Sequence, residues 1–152
     1  MVTAFAGPSQ ADDADGIVCG RVVLTGGEKA VEFVDNGAPG VSIGDVRAGW
    51  RALHDDAGTY QGKTYFVATV VDVDPEGGGD TVQGTYTIAL ADGWLVAAAF
   101  YGWNDASDVS QRATGATLVI TDGFGAYGGA EGILTIEPGD TPKYRFQVDC
   151  ED

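Results

Sequence analysis

The stretch Thr81–Asp105, TVQGTYTIALADGWLVAAAFYGWND, decides the fold of this chain. Polar and apolar residues alternate in its first half, which is the pattern of a β-strand with one buried face. Asp92-Gly93 follows, and glycine at this place favours the tight turn of a β-hairpin because it tolerates a positive φ. The stretch therefore predicts two long antiparallel strands that are joined at Ala91-Asp92-Gly93.

The second strand of this hairpin is apolar on both faces, so both faces need a cover. We expect the inner face to carry Ala97, Ala99, Tyr101 and Trp103, and the outer face to carry Trp94, Val96, Ala98 and Phe100. The inner face fits either an ordinary barrel core or the wall of a ligand cavity. The outer face fits a contact with a second subunit, which would make the protein a homodimer.

Short runs of Val, Thr and aromatic residues, separated by glycine-rich turns, continue on both sides of the hairpin. They predict eight or nine strands, the first two being Gly16–Thr25 and Glu28–Asp35, and only Arg47–His54 has the pattern of a helical turn or two. Closure into a barrel removes exposed strand edges. The predicted fold is therefore all-β, a small antiparallel barrel with a ligand-sized lumen.

The composition limits the classes of partner. The net charge of −15 repels nucleic acid and anionic membranes. No stretch approaches the ~20 apolar residues of a membrane span. Residues 1–15 are expected to form a flexible acidic tail and residues 16–152 a single barrel domain. The N-terminus lacks the basic start of a signal peptide, so we expect a cytoplasmic protein, or a secreted one if a signal peptide has been removed.

Two cysteines lie near the ends of the predicted barrel, Cys19 in the first strand and Cys150 in the last. First and last strands are neighbours in a closed barrel, so the two side chains can meet in a disulfide. Two buried free thiols are the alternative. Two Cys and one His are too few for a zinc site, and we expect no metal.

Conventional catalytic motifs are missing from the sequence: there is no GxSxG, no HExxH and no dinucleotide fingerprint. The lone His54 lies in a predicted turn, where an exposed position is expected. A barrel without a catalytic set either binds an apolar molecule or catalyses a reaction by shaping its substrate in a dry cavity.

Three segments carry a resemblance to a known family: GD…ALHDDAGTYQGKTYF, VQGTYTIALADGWLVAAAF and TDGFGAYGGAEGILTI. Their order and their turns resemble those of the allene oxide cyclase and dirigent-like β-barrels. Within that group they are most similar to bacterial polyketide cyclases that form spirotetronates, which are natural Diels–Alderases. The resemblance covers roughly residues 43–136 and is a pattern of turns and glycines.

The resemblance implies a cofactor-independent cyclase, often dimeric, that closes a ring in a linear unsaturated substrate by a 4+2 cycloaddition. Matching positions give Trp103 as an aromatic residue of the lumen and place Tyr86 on the same strand face as another. The inward face of the second strand adds Tyr101, and we expect Tyr86, Tyr101 and Trp103 to be the catalytic hydrogen-bond donors. The residues expected to bind the apolar polyene substrate are Trp50, Ile88, Ala99, Leu118, Tyr127, Leu134 and Ile136. The family cyclases carry larger or polar residues at Leu118, Leu134 and Ile136.

Other residues and functions complete these expectations. Arg47 and Arg51 lie near the predicted barrel mouth, where they gate the cavity or bind the substrate. The alternative functions are a lipocalin-like carrier of an apolar metabolite and a secreted dirigent-like barrel, which a disulfide favours.

Overall fold

A computed structural model of the chain describes residues 16–76, 78–103 and 115–150. Eight antiparallel strands follow one another around a closed barrel. They are β1 (Gly20–Val34), β2 (Val46–His54), β3 (Tyr60–Val73), β4 (Asp80–Leu90), β5 (Gly93–Trp103), β6 (Ala116–Gly125), β7 (Glu131–Glu137) and β8 (Lys143–Asp149). The predicted tail at residues 1–15 lies outside the described residues.

The all-β barrel predicted from the sequence is confirmed, and the strand count is eight because β1 is one long strand. The prediction of two strands around Gly26-Gly27 is wrong. Thr25 pairs with Lys143 of β8 and also with His54 of β2, and the pairing with β2 shifts between Gly26 and Lys29. The two glycines form a bulge, which bends a strand without reversing it.

The expected helical turns at Arg47–His54 are also wrong, because this segment is strand β2. It pairs along its length with β1 on one side and β3 on the other. Inward-facing Arg47 and Arg51 replace the apolar residues that normally mark the buried face of a strand. Because these inward residues are charged, apolar and polar residues do not alternate along β2, and this alternation is the pattern by which a strand is recognised.

The hairpin of β4 and β5 has the predicted turn, with Leu90 paired to Gly93. A side chain at Gly93 would collide with the Phe124 carbonyl of β6, so glycine is required there. Inward positions alternate with outward ones along both strands, as the sequence predicts. The outer face of β5 exposes Phe100, and Trp94 stacks on Phe124 with 5.5 Å between ring centroids.

One end of the barrel is closed by the turn that precedes β1. The Tyr127 hydroxyl, which is fully buried, donates to Asp92 Oδ1 at 2.8 Å, while Asp92 Oδ2 accepts from the Ile17 amide at 2.9 Å. Cys19 and Cys150 are joined in a disulfide with a Cα–Cα distance of 5.8 Å. These contacts fix the two ends of the barrel wall to each other and cover this end of the lumen.

No helix within the described part of the chain has the length and hydropathy of a membrane-spanning helix.

Candidate active site

A cavity of about 60 Å³ lies toward the end of the barrel that is opposite the disulfide, next to the turn between β7 and β8. Elsewhere the lumen is filled by a continuous core of buried apolar side chains. The cavity wall combines aromatic and aliphatic side chains with three basic ones. Its residues are Lys29, Val31, Arg47, Arg51, Phe66, Tyr86, Trp103, Ile136, Pro138, Pro142 and Tyr144.

The aromatic wall is built by neighbouring strands β3, β4 and β5. Phe66 is paired directly with Tyr86 across the β3–β4 ladder, and the two rings stack with 5.4 Å between centroids. Tyr86 is also hydrogen-bonded to Tyr101, with 3.0 Å between the two hydroxyl oxygens. Tyr101 in turn lies 5.8 Å from the Trp103 ring. Four contacting rings therefore form this side of the cavity, and Tyr101 is the one that stands behind the wall.

Gly84 makes this arrangement possible because it leaves room for Tyr101. A Cβ at this position would lie 2.5 Å from the Tyr101 hydroxyl oxygen. A nonbonded contact of that length is too short, and the Tyr101 ring cannot move away from it without displacing the side chains packed around it.

We expect Gly84→Ala to destabilise the protein by about 1–3 kcal/mol, the usual range for overpacking a core. It should also disturb the bond between Tyr86 and Tyr101, which near-ultraviolet circular dichroism reports. The control is Gly128→Ala, whose Cβ would meet its nearest neighbour at 3.7 Å. Urea denaturation that gives equal stabilities for the two variants would contradict this account of Gly84.

Trp103 places an indole donor beside the cavity. Its Nε1 is buried, and no acceptor within the described ranges binds it. Arg47 stacks over the Trp103 ring, with its guanidinium carbon 4.2 Å from the ring centroid. A buried donor without a partner is costly, and such groups in native structures call for an explanation.

The buried phenols remain protonated well above neutral pH. Burial, together with the neighbouring Tyr101, holds the pKa of Tyr86 well above its ordinary value. Burial raises the pKa of Tyr101 to about 12. Burial also raises the pKa of Tyr144. These hydroxyls therefore act as hydrogen-bond donors and acceptors and not as charged bases.

The raised pKa of Tyr101 predicts a loss of stability at alkaline pH. Above its ordinary pKa of 10.0 the phenol ionises in the unfolded chain and stays protonated in the folded one, so unfolding is favoured as pH rises. Between pH 9 and pH 11 the free energy of unfolding should fall by roughly 1 kcal/mol more in the wild type than in Tyr101→Phe. Urea denaturation at both pH values measures this, and a constant difference between the two proteins would contradict it.

The mouth of the cavity is shaped around Arg51. Its Nη1 donates to the Gly27 carbonyl at 2.7 Å. Its side chain passes so close to Gly26 that a Cβ there would lie 2.5 Å from Arg51 Cδ. The two glycines of the β1 bulge therefore also position Arg51: Gly26 leaves room for its side chain, and the Gly27 carbonyl binds its guanidinium.

Only some of the site residues predicted from the sequence lie at the cavity. Tyr86, Trp103 and Ile136 line the cavity, and Tyr101 contacts it through Tyr86. The others do not line it: Ile88, Leu118 and Leu134 are fully buried in the core, and Ala99 packs against that core.

Two expected substrate-binding residues lie away from the cavity. Trp50 faces outward, because it alternates with inward Arg51 along β2, and Lys63 Nζ lies 4.0 Å from its ring centroid. Tyr127 closes the opposite end of the barrel and binds Asp92 there. Neither side chain is placed to contact a ligand in this cavity.

Sequence reasoning missed several residues of the cavity wall, above all Phe66 and Tyr144. The alternation of Tyr144, Phe146 and Val148 with charged or polar neighbours in β8 was a usable signal for an inward Tyr144. Phe66 had no such signal, because Tyr65 beside it is equally aromatic and faces outward. No group of three or more metal-binding side chains occurs in the described segments.

Neither a protein-family model nor a curated protein matches the sequence. Several solved structures are similar in fold. Pyocyanin demethylase has a TM-score of 0.71 at 24% identity, with 84% of this chain and 98% of that chain covered. The Diels–Alderase AbmU from Streptomyces koyangensis has a TM-score of 0.64 at 17% identity, with 93% and 73% covered. AbnU, an exo-specific intermolecular Diels–Alderase, has a TM-score of 0.58 at 20% identity, with 84% and 95% covered. This chain therefore has a barrel fold that is shared by enzymes, Diels–Alderases among them.

Proposed function

We propose that this protein is a cofactor-independent cyclase that closes a ring in a linear unsaturated polyketide by an intramolecular 4+2 cycloaddition or a related reaction. The observation that carries the proposal is the buried Trp103 N–H without an acceptor in the described chain, beside a cavity walled by Phe66 and Tyr86. The Diels–Alderases of similar fold and the sequence resemblance to the spirotetronate-forming cyclases support it.

The main task of the protein in this reaction is to hold the substrate chain in its reactive conformation. In a 4+2 closure the diene and the alkene must lie against each other, and a flexible chain in solution loses conformational entropy to reach that geometry. A cavity that holds the chain in this geometry has met that entropy cost before the reaction begins. The stacked Phe66 and Tyr86 rings offer a flat wall for a conjugated chain. A substrate carbonyl bound by Trp103 Nε1 would make its conjugated alkene more electron-poor, and one such donor in a dry site contributes up to ~3–4 kcal/mol.

The size of the cavity defines how a substrate would enter. A volume of about 60 Å³ is the space of a few water molecules, so the cavity admits only a few atoms of a chain before it opens. A complete linear substrate requires Lys29 and Pro142 at the mouth to move outward, while Arg51 stays anchored to Gly27. Binding in this proposal is accompanied by that opening.

The proposal includes a homodimer formed through the outer face of β5. Phe100 is 68% exposed there, and Val119 on the adjacent strand is 57% exposed. Large apolar side chains exposed on neighbouring strands are typical of a contact surface. The Cys19–Cys150 disulfide favours an oxidising compartment, which supports secretion over the cytoplasm.

A non-catalytic carrier of a small apolar metabolite is the second candidate. It is favoured by the described residues of the cavity wall, which offer hydrogen-bond donors and aromatic surface but no nucleophile paired with a base.

The two functions differ in the product that they release. The test incubates the protein with neutral methyl esters of linear polyenes that carry a conjugated carbonyl, followed by chromatography with mass detection. A cyclase gives an isomer of unchanged mass and shifted retention faster than buffer does, whereas a carrier returns the ligand unchanged. Native mass spectrometry of the same samples reports bound ligand and the oligomeric state.

A further inference from the structure

The Tyr144 side chain lies in the cavity wall, on the side where β8 meets β1 and β7. Strand β8 alternates exposed and buried residues, and Tyr144 is one of its three buried ones, with 5% of its surface exposed. In the closed order of eight strands, β8 lies across the barrel from β4, which carries Tyr86. Tyr144 therefore brings a hydroxyl to the cavity from the side that faces the aromatic wall.

The β1 bulge brings Arg51 and Tyr144 together. A Cβ at Gly26 would lie 2.5 Å from Arg51 Cδ and 3.2 Å from Tyr144 Cε1, so both side chains pass over this one glycine. Arg51 Nη1 donates to the Gly27 carbonyl at 2.7 Å. The same guanidinium interacts with the Tyr144 hydroxyl, both as a hydrogen-bond donor and as a positive charge. Arg51 is thus engaged by the protein on two sides, and Tyr144 is one of its partners.

The contact with Arg51 determines the direction of the Tyr144 hydroxyl. A guanidinium has donors only, whereas a phenol oxygen accepts hydrogen bonds and donates one. Arg51 therefore takes a lone pair of this oxygen, and the hydroxyl hydrogen is directed away from the guanidinium. Because Tyr144 lines the cavity, the hydrogen is available to a ligand there.

The surroundings of Tyr144 make it a neutral but strong donor. Burial, together with the nearby Tyr86, raises the pKa of Tyr144 above its ordinary value of 10.0, so the phenol keeps its hydrogen at neutral pH. A hydroxyl that accepts from a charged group is polarised by it and donates more strongly, above all where the local dielectric constant is low. The charge of Arg51 therefore acts on a ligand through Tyr144.

We propose that the Tyr144 hydroxyl donates a hydrogen bond to a neutral carbonyl oxygen of the ligand, a ketone or an ester, and that Arg51 positions this hydroxyl. The inference rests on the proposed function and adds a catalytic residue to it. A carbonyl oxygen has two lone pairs, so it can accept from Tyr144 and from Trp103 together. Both residues line the same cavity of about 60 Å³, which keeps them within reach of the same few ligand atoms.

Two neutral ligands that differ at one atom test this proposal. Cyclohexanone and methylenecyclohexane share the same ring, and a CH₂ group replaces the carbonyl oxygen in the second. Ligand-observed nuclear magnetic resonance gives both Kd values, and a ¹³C label at the ketone carbon reports the hydrogen bond, because a donor moves that resonance downfield. We expect the resonance of the bound ketone to lie at least as far downfield as in water. A resonance close to that in hexane, or no binding of the ketone, would overturn the proposal.

Variants then locate the donor. Tyr144→Phe should weaken cyclohexanone about five- to tenfold relative to methylenecyclohexane, as expected for one hydrogen bond, and move the bound resonance upfield. Arg51→Gln should move the resonance in the same direction by a smaller amount, and it should change nothing further when added to Tyr144→Phe.

The matched control is Tyr65→Phe, which removes the same hydroxyl from the outer face of β3, where Tyr65 is 46% exposed. It should change neither the ratio of the two affinities nor the resonance. Circular dichroism verifies the fold of each variant, and the wild-type resonance still tests the proposal if Tyr144→Phe does not fold. An unchanged ratio in folded Tyr144→Phe, with the resonance lost only in Trp103→Phe, would assign the carbonyl to Trp103 and contradict the role of Tyr144.

This experiment and the ring-closure assay fail independently, because neither ligand can cyclise. Ring closure of polyene esters together with an unaffected Tyr144→Phe would refute the role of Tyr144 alone. A ketone bound through Tyr144 without any isomerised product from the esters would refute the cyclase and leave a carrier that recognises carbonyl groups.

Discussion

Trp103→Phe should lower kcat/KM for ring closure about 100-fold, which corresponds to the loss of one donor to a developing negative oxygen in a dry site. Phenylalanine keeps an aromatic ring against Tyr101 and removes the N–H that has no acceptor within the described chain. The loss should appear mainly in kcat, because the bond to the substrate carbonyl is stronger in the transition state than in the ground state. Steady-state kinetics with a neutral polyene ester measures both constants.

The matched control is Trp94→Phe. It is the same substitution in the same strand β5, on the outer face, where Trp94 stacks on Phe124. It should leave kcat/KM within about twofold of the wild type, as expected of a surface change far from the reacting atoms. Equal kinetics for the Trp103 and Trp94 variants would mean that the reaction does not take place in this cavity.

Loss of the Cys19–Cys150 disulfide should lower the free energy of unfolding by about 4 kcal/mol. The two residues are 131 positions apart, so the bond closes nearly the whole described chain into one loop. Closing a loop of that length restricts the unfolded state more than a short loop does, and about 4–5 kcal/mol is the value for 100 residues. The bond also anchors the turn before β1, whose Ile17 amide binds Asp92.

Urea denaturation of the oxidised protein, the reduced protein and the Cys19→Ser/Cys150→Ser double variant measures this effect. The reduced protein and the double variant should agree with each other and lie well below the oxidised form. Mass spectrometry of the oxidised sample should give a mass lower by two hydrogens than that of the reduced one. A change in stability below about 1 kcal/mol would show that the barrel closes without help from this bond.

The fold followed from local patterns where those patterns were clear. In β4 the alternation around Tyr86 and Ile88 predicted the strand and its inward face, and Asp92-Gly93 predicted the turn. The structure has all three. The pattern failed in β2, where Arg47 and Arg51 point into the barrel. A strand whose buried face is basic cannot be recognised from hydrophobic periodicity.

The site was predictable only where a residue's face was certain. Tyr86 and Trp103 could be assigned to the lumen because their strands were identified with the correct alternation. Trp50 was assigned without an orientation, and the pleat of β2 turns it to the outside, where it meets Lys63. The convergence of Lys29 with Arg51 depends on the bulge in β1, and a bulge that shifts register is not visible in composition or period.

The central claim is that this barrel accelerates ring closure inside its cavity. The measurement that tests it most directly is the first-order rate of isomerisation of a linear polyene ester in buffer, with the wild type and with Val31→Trp, which fills the cavity from β1. The account predicts an isomer of unchanged mass, a rate at least 100-fold above buffer with the wild type, and a rate close to buffer with the filled variant. Equal rates in all three samples, or a wild-type rate that the filled cavity leaves unchanged, would contradict it.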